Sequence, residues 1–238
     1  MSFCLITPTR GDRPLFKDQY WNIIKSQTVQ PDEVIVMDYK PESDKKDLTQ
    51  RYRRGIEKAT ANGHEFALLW EDDDWYHPEY IQWYVNKWNE NNKPDVLGID
   101  TTYYYHIGVK GYMKMYHPER SSAFCMLIKL PYNGYPPDDD PFFDSYAFKL
   151  KNKRRNKKRI QTIPLEEIYA IGIKHNHGMS GGSMHEKVRN YNSDSEWFKR
   201  HCLDYEIYNE IAIKIKEQEK LGAIPNVPVT RKGRCKSP

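Results

Sequence analysis

Four acidic residues, Glu71, Asp72, Asp73 and Asp74, follow directly on the apolar run 66–70. A short apolar run of this kind is typical of a buried strand. Neighbouring carboxylates raise each other's pKa, and a bound divalent cation, which prefers oxygen ligands, relieves that repulsion. The residues therefore indicate a metal site at the edge of a sheet. A solvated acidic loop is the alternative that the spacing alone leaves open.

Two other predicted strands also end in residues that could bind a ligand. The run 3–7 leads into Thr7, Pro8, Thr9 and Arg10, and the run 33–38 ends at Asp38. Helical patterns over 15–27, 41–60 and 78–91 alternate with these runs, and a fourth strand is predicted over 96–100. Repeated β-α units predict a parallel α/β sheet with right-handed crossovers. Ligands bind beyond the carboxyl ends of such strands, so the three ends should converge on one site.

The second half of the chain has a different pattern. Segments 103–116, 122–128 and 167–173 are β-like, and a short helix is predicted over 141–150. A capping box, Ser193 with Glu196, predicts the start of one long helix with Leu203, Ile207, Ile211 and Ile215 on one face. A dense basic run occupies 149–159, and the Pro-rich, basic residues 222–238 are predicted to be a mobile tail.

Composition restricts the class of protein. The chain has 238 residues and a net charge of +4. Its four cysteines, Cys4, Cys125, Cys202 and Cys235, form no CxxC pair, as expected for reduced thiols. No run reaches the roughly 18 apolar residues of a membrane span, and no leader-like segment opens the chain. We therefore expect a cytoplasmic protein.

Taken in order along residues 1–185, these motifs resemble a GT-A glycosyltransferase of the family 2 type. The resemblance rests on five segments: Thr7–Arg10, Asp38, Arg51–Arg54, Glu71–Pro78 and Asp138–Asp140. The last differs from the family pattern, where Glu-Asp is usual and this chain has Asp-Asp followed by Pro141.

The resemblance implies an α/β fold with a mixed, mainly parallel central sheet flanked by helices. Residues 1–221 would form a single domain. Within it, 1–100 would be a Rossmann-like half that binds the nucleotide sugar, and 101–221 an acceptor half that carries the basic insertion 149–159. The implied cofactors are Mn²⁺ or Mg²⁺ and a nucleotide-sugar donor, with a UDP-sugar favoured.

The resemblance also assigns roles to residues. Asp72, Asp73 and Asp74, with His177 (or His175 as the alternate), would hold the metal, and Asp72 and Asp73 would also contact the donor. One alignment pairs Glu71 with Asp73 and the other pairs Asp72 with Asp74, and the sequence leaves both registers open. The remaining donor contacts would come from Thr7, Pro8, Thr9, Arg10, Asp38 and Arg54.

An inverting transfer needs a carboxylate near the acceptor hydroxyl to accept its proton. The resemblance assigns this role to Asp139 or Asp140, with Asp144 as a weaker candidate.

The predicted function is metal-dependent transfer of one sugar, by inversion, to a saccharide or surface glycan. Because the basic run attracts polyanions and Tyr103–Tyr105 could stack on a base, DNA carrying a hydroxymethylated base is the alternative acceptor. A non-catalytic nucleic-acid-binding module is the alternative from another class. A nucleotidyltransferase is disfavoured because the loop after the first strand holds only one glycine, Gly11.

Overall fold

The computed structural model describes residues 2–41, 47–140, 142–149, 160–175 and 191–221. The strands in these residues are β1 (Phe3–Pro8), β2 (Glu33–Met37), β3 (Phe66–Leu69), β4 (Trp75–Tyr76), β5 (Val96–Ile99), β6 (Thr101–His106), β7 (Gly111–Tyr116), β8 (Met126–Lys129), β9 (Ile160–Ile163) and β10 (Ala170–Lys174). The helices are α1 (Lys17–Lys25), α2 (Leu48–Ala61), α3 (Tyr80–Glu90), α4 (Phe143–Lys149), α5 (Ser195–His201) and α6 (Tyr205–Lys220).

The larger sheet has six strands in the order β2-β1-β3-β8-β5-β9. Strand β8 runs antiparallel to both of its neighbours, and the other pairs are parallel. The predicted mixed, mainly parallel sheet is therefore confirmed. Since β2, β1 and β3 are adjacent and parallel, their carboxyl ends share one edge, as the sequence predicted.

Helices cover both faces of this sheet because its strands are apolar on both sides. In β1, Phe3 and Leu5 belong to one buried cluster, and Cys4 and Ile6 belong to the other. The first cluster includes residues of α1, α3 and α6, and the second includes residues of α2 and α4. Strands buried on both faces read as continuous apolar runs, which is why the sequence revealed them.

A second sheet of four strands has the order β4-β10-β6-β7. Strand β4 begins directly after Asp74 and pairs antiparallel with β10, while β10 pairs parallel with β6. The acidic segment Glu71–Asp74 therefore joins the end of β3 in the first sheet to the start of β4 in the second.

Several sequence predictions were wrong in detail. No local pattern indicated β4 or β9, and residues 123–125 of the predicted strand 122–128 form a 3₁₀ turn before β8. The predicted long C-terminal helix is two helices, α5 and α6, and its N-cap is Asp194 rather than Ser193. Leu203 lies in the break and is 69% exposed, so it does not share the buried face of Ile211 and Ile215.

A long-range contact lies at the break between α5 and α6. Asp204, directly before α6, accepts a hydrogen bond from the indole N–H of Trp75 (2.9 Å). This contact ties the start of α6 to the end of the acidic segment.

Some predictions fall outside the described residues. These are His177, residues 150–159 of the basic run, the tail 222–238 and the proposed helix start within 42–46. Among the described helices, none has both the length and the apolar character needed to cross a bilayer.

Close packing of α2 on the sheet gives a stability prediction. A Cβ added at Gly55 would lie 2.5 Å from Ile6 Cγ2 and 3.3 Å from Met37 Cγ. In an exposed helix, Gly→Ala stabilises by about 1 kcal/mol through helix propensity. Here we expect Gly55→Ala to destabilise the protein by about 1–3 kcal/mol because it overpacks the core. Urea unfolding measures the change.

The control is the same substitution in an Ile6→Ala background. Removing the Ile6 side chain opens the space, so Gly55→Ala should become neutral or stabilising there. An equal destabilisation in both backgrounds would show that the contact with Ile6 is not the cause.

Candidate functional site

The acidic segment is held by the ends of both sheets. The backbone N–H of Trp70 donates to Ile6 O (3.0 Å), which continues the pairing of β3 with β1. The Trp70 ring stacks on Tyr76, with 3.7 Å between ring centroids, and the Glu71 N–H donates to the Tyr76 hydroxyl (2.9 Å). The segment is therefore fixed at both of its ends, and its four side chains point to different partners.

Asp72 faces the end of β1. Its carboxylate accepts a hydrogen bond from the Thr9 hydroxyl and forms an ion pair with Arg13. The pKa of Asp72 is raised because burial outweighs the opposing charge of Arg13. This side chain belongs to the β1 side of the site.

Asp73 is buried between Arg13 and His175. It is ion-paired with Arg13, and its Oδ2 lies 2.9 Å from His175 Nε2. Burial acts to raise the pKa of Asp73, but the charge of Arg13 and then the hydrogen bond of His175 outweigh it, so the pKa lies well below the usual range. Burial lowers the pKa of His175, which favours a neutral imidazole that donates its Nε2 proton to this carboxylate.

Burial disfavours the ionised forms of Asp74 and Glu71. Asp74 Oδ1 accepts the backbone N–H of Ile173 (2.7 Å), and its carbonyl accepts the Tyr208 hydroxyl (3.0 Å). Burial raises the pKa of Asp74 well above the ordinary value. The pKa of Glu71 rises to about 7, mainly through burial, which Lys174 opposes and Asp73 reinforces.

The acidic side chains fit a divalent cation. One ligand atom from each of Glu71, Asp73 and Asp74 lies within 4.8 Å of the others. Asp73 Oδ1 and Asp74 Oδ2 are buried and have no hydrogen-bond partner, an arrangement that is costly without a ligand. When all four acids are ionised, they carry four negative charges, of which Arg13 and Lys174 balance two. One divalent ion would balance the remaining two or so.

The predicted nucleotide-binding residues lie at the same edge, and some of them make fold contacts. Thr7 is fully buried and accepts a hydrogen bond from the Tyr20 hydroxyl (2.9 Å). Pro8 pairs with Met37 across β1 and β2. Arg10 is paired with Asp47 (2.9 Å). Thr7 and Arg10 are thus bound into the structure that supports the site.

Asp38 follows β2 and has an exposed side chain. The backbone around it is fixed by buried Arg51, whose guanidinium donates to the carbonyls of Thr9 (2.6 Å), Met37 (2.7 Å) and Tyr39 (2.8 Å). Arg54 lies over the Tyr39 ring, 4.6 Å from its centroid. The ends of β1 and β2 are therefore joined, and Asp38 is presented at the shared edge.

The predicted acidic pair lies before α4. Asp139 is exposed, and Asp140 Oδ1 accepts the backbone N–H of Phe142 (2.8 Å). The neighbouring Asp138 is ion-paired with Arg53 (2.7 Å). Asp144, one residue inside α4, is half-buried, and burial raises its pKa.

Two residues of the site were not predicted from the sequence. Tyr52 on α2 has a buried hydroxyl with no partner, and its pKa is raised by burial and then by the charges of Glu71 and Asp144. Lys174, the last residue of β10, is buried and lowers the pKa of Glu71. A tyrosine on the buried face of a helix leaves no sequence signal for a site. Lys174 could have been noticed as a cation that ends an apolar run.

Comparison with known proteins identifies the fold. No protein family model matches the chain, and no curated protein matches it by sequence. Among solved structures, Staphylococcus aureus TarS residues 1–349, in complex with UDP-GlcNAc, superposes with a TM-score of 0.53 at 16% identity. The match covers 75% of this chain and 60% of that one, so this chain spans less than two thirds of that structure.

A protein of Desulfovibrio desulfuricans G20, provisionally assigned as a nucleotide-diphospho-sugar transferase, superposes with a TM-score of 0.46 at 13% identity. That match covers 91% of this chain and 98% of the other. The sheet order and the TarS superposition show a mixed α/β fold of the GT-A type.

The raised pKa of Glu71 predicts how metal binding depends on pH. A carboxylate must lose its proton to bind a metal ion. Since the pKa of Glu71 is about 7 and burial also raises the pKa of Asp74, Mn²⁺ should bind at least about tenfold more tightly at pH 8 than at pH 6, and its binding at pH 6 should release protons. Calorimetry in two buffers of different ionisation enthalpy measures both quantities.

The metal-free protein should show the opposite trend. A carboxyl whose folded-state pKa is raised stabilises the fold when protonated, so melting temperature should fall as pH rises through 7. Glu71→Gln should reduce both effects. Equal Mn²⁺ affinity at pH 6 and pH 8 would contradict the placement of Glu71 among the ligands.

Proposed function

We propose that this chain is a metal-dependent glycosyltransferase that moves one sugar from a nucleotide-sugar donor to an acceptor hydroxyl with inversion. One observation carries the proposal. Glu71, Asp73 and Asp74 bring carboxylate oxygens within 4.8 Å of one another at the carboxyl edge of a GT-A-type sheet, and one buried oxygen each of Asp73 and Asp74 has no hydrogen-bond partner. Ligands of parallel α/β sheets bind at this edge.

In this proposal Glu71, Asp73 and Asp74 hold Mn²⁺ or Mg²⁺, with His177 as a further ligand. The bound ion would offset the charge that develops on the departing diphosphate. Grouping of Glu71 with Asp73 supports the register that pairs these two acids. Asp72, which faces Thr9 and Arg13, would then take the ribose.

The nucleoside would lie along the joined ends of β1 and β2. Asp38 has an exposed carboxylate there, and Pro8 and Thr9 form the adjacent edge. Thr7 and Arg10 would support this edge through Tyr20 and Asp47. UDP is the favoured nucleotide because the TarS structure, whose TM-score is 0.53, holds UDP-GlcNAc.

Asp144 is the preferred general base. Tyr52 packs on Phe143, the residue before Asp144, with 5.2 Å between ring centroids. Burial raises the pKa of Tyr52, and the charges of Glu71 and Asp144 raise it further, which supports a position of Asp144 near the acidic segment. Its half-buried carboxyl with a raised pKa suits proton abstraction. Asp139 is exposed and Asp140 caps the chain before α4, so both are less suited to the role that the sequence assigned to them.

The proposed transfer is a single displacement at the anomeric carbon. Asp144 takes the acceptor O–H proton while that oxygen forms a bond to the anomeric carbon. The bond from this carbon to the diphosphate oxygen breaks, and its electron pair leaves with the nucleoside diphosphate. Attack from the face opposite the leaving group inverts the anomeric centre.

The acceptor is best proposed as a saccharide or surface glycan. The DNA alternative relied partly on stacking by the aromatic segment 103–105. Tyr104 and Tyr105 are buried, and Tyr103 stacks on Trp197 with 5.3 Å between ring centroids. These rings pack inside the protein, so segment 103–105 does not support recognition of a base.

Loss of Asp73 should remove metal-dependent donor binding. We expect Asp73→Asn to abolish the thermal shift produced by UDP with Mn²⁺ and to reduce UDP-sugar hydrolysis by at least about a hundredfold. The matched control is Asp18→Asn, an exposed acid at the start of α1. Because Asp73 also pairs with Arg13 and His175, Glu71→Gln serves as a second variant. A Mn²⁺-dependent UDP shift that survives in both variants would refute the proposal.

The choice of base is tested by three Asp→Asn variants, at 139, 140 and 144. With water as acceptor, Asp144→Asn should lower kcat for UDP-sugar hydrolysis by about 10²–10⁴-fold. Its affinity for UDP should be unchanged because the carboxylate does not contact the nucleotide. Asp139→Asn should resemble the parent protein. A larger loss at 139 or 140 than at 144 would return the role to the acidic pair.

A further inference from the structure

A cleft of about 430 Å³ opens beside α4. Its walls include Arg120, Asp140, Phe142, Ser145 and Tyr146. Ser145 directly follows Asp144 on α4, so the cleft lies beside the helical turn that carries the preferred general base. Its volume is large enough for one or two sugar rings.

Among the described residues, the side chains that bind Arg120 directly are neutral. One guanidinium N–H donates to the Ser145 hydroxyl (2.6 Å), and another lies 3.4 Å from His117 Nε2. Burial and the charge of Arg120 lower the pKa of His117, which keeps this partner neutral. No carboxylate of a described residue lies within 4.0 Å of the Arg120 guanidinium. A positioned guanidinium that lacks a partner acid is suited to a carboxylate or phosphate of a ligand.

The other walls suit a hydroxyl-bearing ring. Phe142 is 46% exposed, although it is a large apolar residue, and an exposed aromatic face can pack on a sugar ring. The carboxylates of Asp140 and Glu119 can accept hydrogen bonds from hydroxyl groups.

We infer that this cleft is the acceptor subsite and that it takes a saccharide bearing an anionic group, paired with Arg120 while its ring packs on Phe142. The inference rests on the proposed function and specifies its acceptor. The anionic group of the saccharide is either a carboxylate or a phosphate. A bound ring would present its hydroxyl toward Asp144.

Direct binding tests the inference without a donor. The probes are glucuronate, glucose 6-phosphate and uncharged glucose, titrated by ligand-observed NMR with the full chain, with and without UDP and Mn²⁺. At least one anionic probe should bind about tenfold more tightly than glucose. Preferential binding of glucuronate would indicate a carboxylate site, and preferential binding of glucose 6-phosphate would indicate a phosphate site. Arg120→Gln should remove that preference and leave glucose binding unchanged.

Two further variants make the result specific. Phe142→Ala should weaken all three probes, because the ring contact does not depend on charge. Lys129→Gln, at the opposite edge of the sheet where β8 pairs with Phe66, should change nothing. Equal binding of glucose and both anions, or anion binding that survives Arg120→Gln, would overturn the inference. So would tight binding of only a duplex that carries 5-hydroxymethylcytosine.

The outcome can be separated from that of the proposed function. If the cleft binds acidic sugars but UDP with Mn²⁺ gives no thermal shift, the donor assignment fails and the anion site stands. If the donor binds but Arg120→Gln has no effect, the acceptor inference alone fails.

Discussion

The structure depends on how four consecutive carboxylates are kept at one sheet edge. Glu71–Asp74 follow a buried strand, so their mutual repulsion cannot be relieved by moving into solvent. The fold separates them instead. Asp72 faces Arg13 and Thr9, Asp73 is held by Arg13 and His175, and Asp74 accepts a backbone N–H of β10. The partners come from two segments, the loop after β1 and the end of β10, so this arrangement requires both sheets to be assembled. A small set of buried carboxylate oxygens remains without partners, and such oxygens are suited to a cation.

Contacts of α6 and of Arg51 hold the acidic segment and the neighbouring strand ends in place. The C-terminal helix α6 is tied to the acidic segment twice, through Tyr208 to the Asp74 carbonyl and through Asp204 to the Trp75 indole. Arg51 has the same role on the nucleotide side, where it binds three carbonyls at the ends of β1 and β2. Arg51 is also ion-paired with Asp47 (2.8 Å), so its charge is balanced while its other N–H groups fix the backbone. The acidic segment and the neighbouring strand ends are thus held by backbone and side-chain contacts together, which restrict their side chains to one geometry.

The sequence predicted the parts of this structure that leave a local pattern. Apolar runs buried on both faces identified β1, β2 and β3, and parallel pairing then placed Thr9, Asp38 and the acidic segment at one edge. Strand β4 has only two residues, too short to show a period, and its existence depends on pairing with β10, nearly a hundred residues away. The single long C-terminal helix was wrong in a region that also makes a non-local contact, since Asp204 between α5 and α6 bonds to Trp75. Periodicity records local preference, and it cannot report contacts that only the folded chain creates.

The same distinction governs the site residues. Acids are visible in a sequence, so Asp72, Asp73, Asp74 and Asp144 could all be named, although their order of importance could not. That order depends on burial and on neighbouring charge. Asp139 and Asp140 matched a motif, yet Asp139 is exposed and Asp140 supports the backbone before α4. Burial raises the pKa of Asp144 and the charge of Arg120 opposes that rise. The side chain before it, Phe143, packs on Tyr52 of α2 with 5.2 Å between ring centroids. Our proposal of Asp144 as the base therefore depends on the burial and the charged neighbours of α4, which a motif before that helix does not reveal.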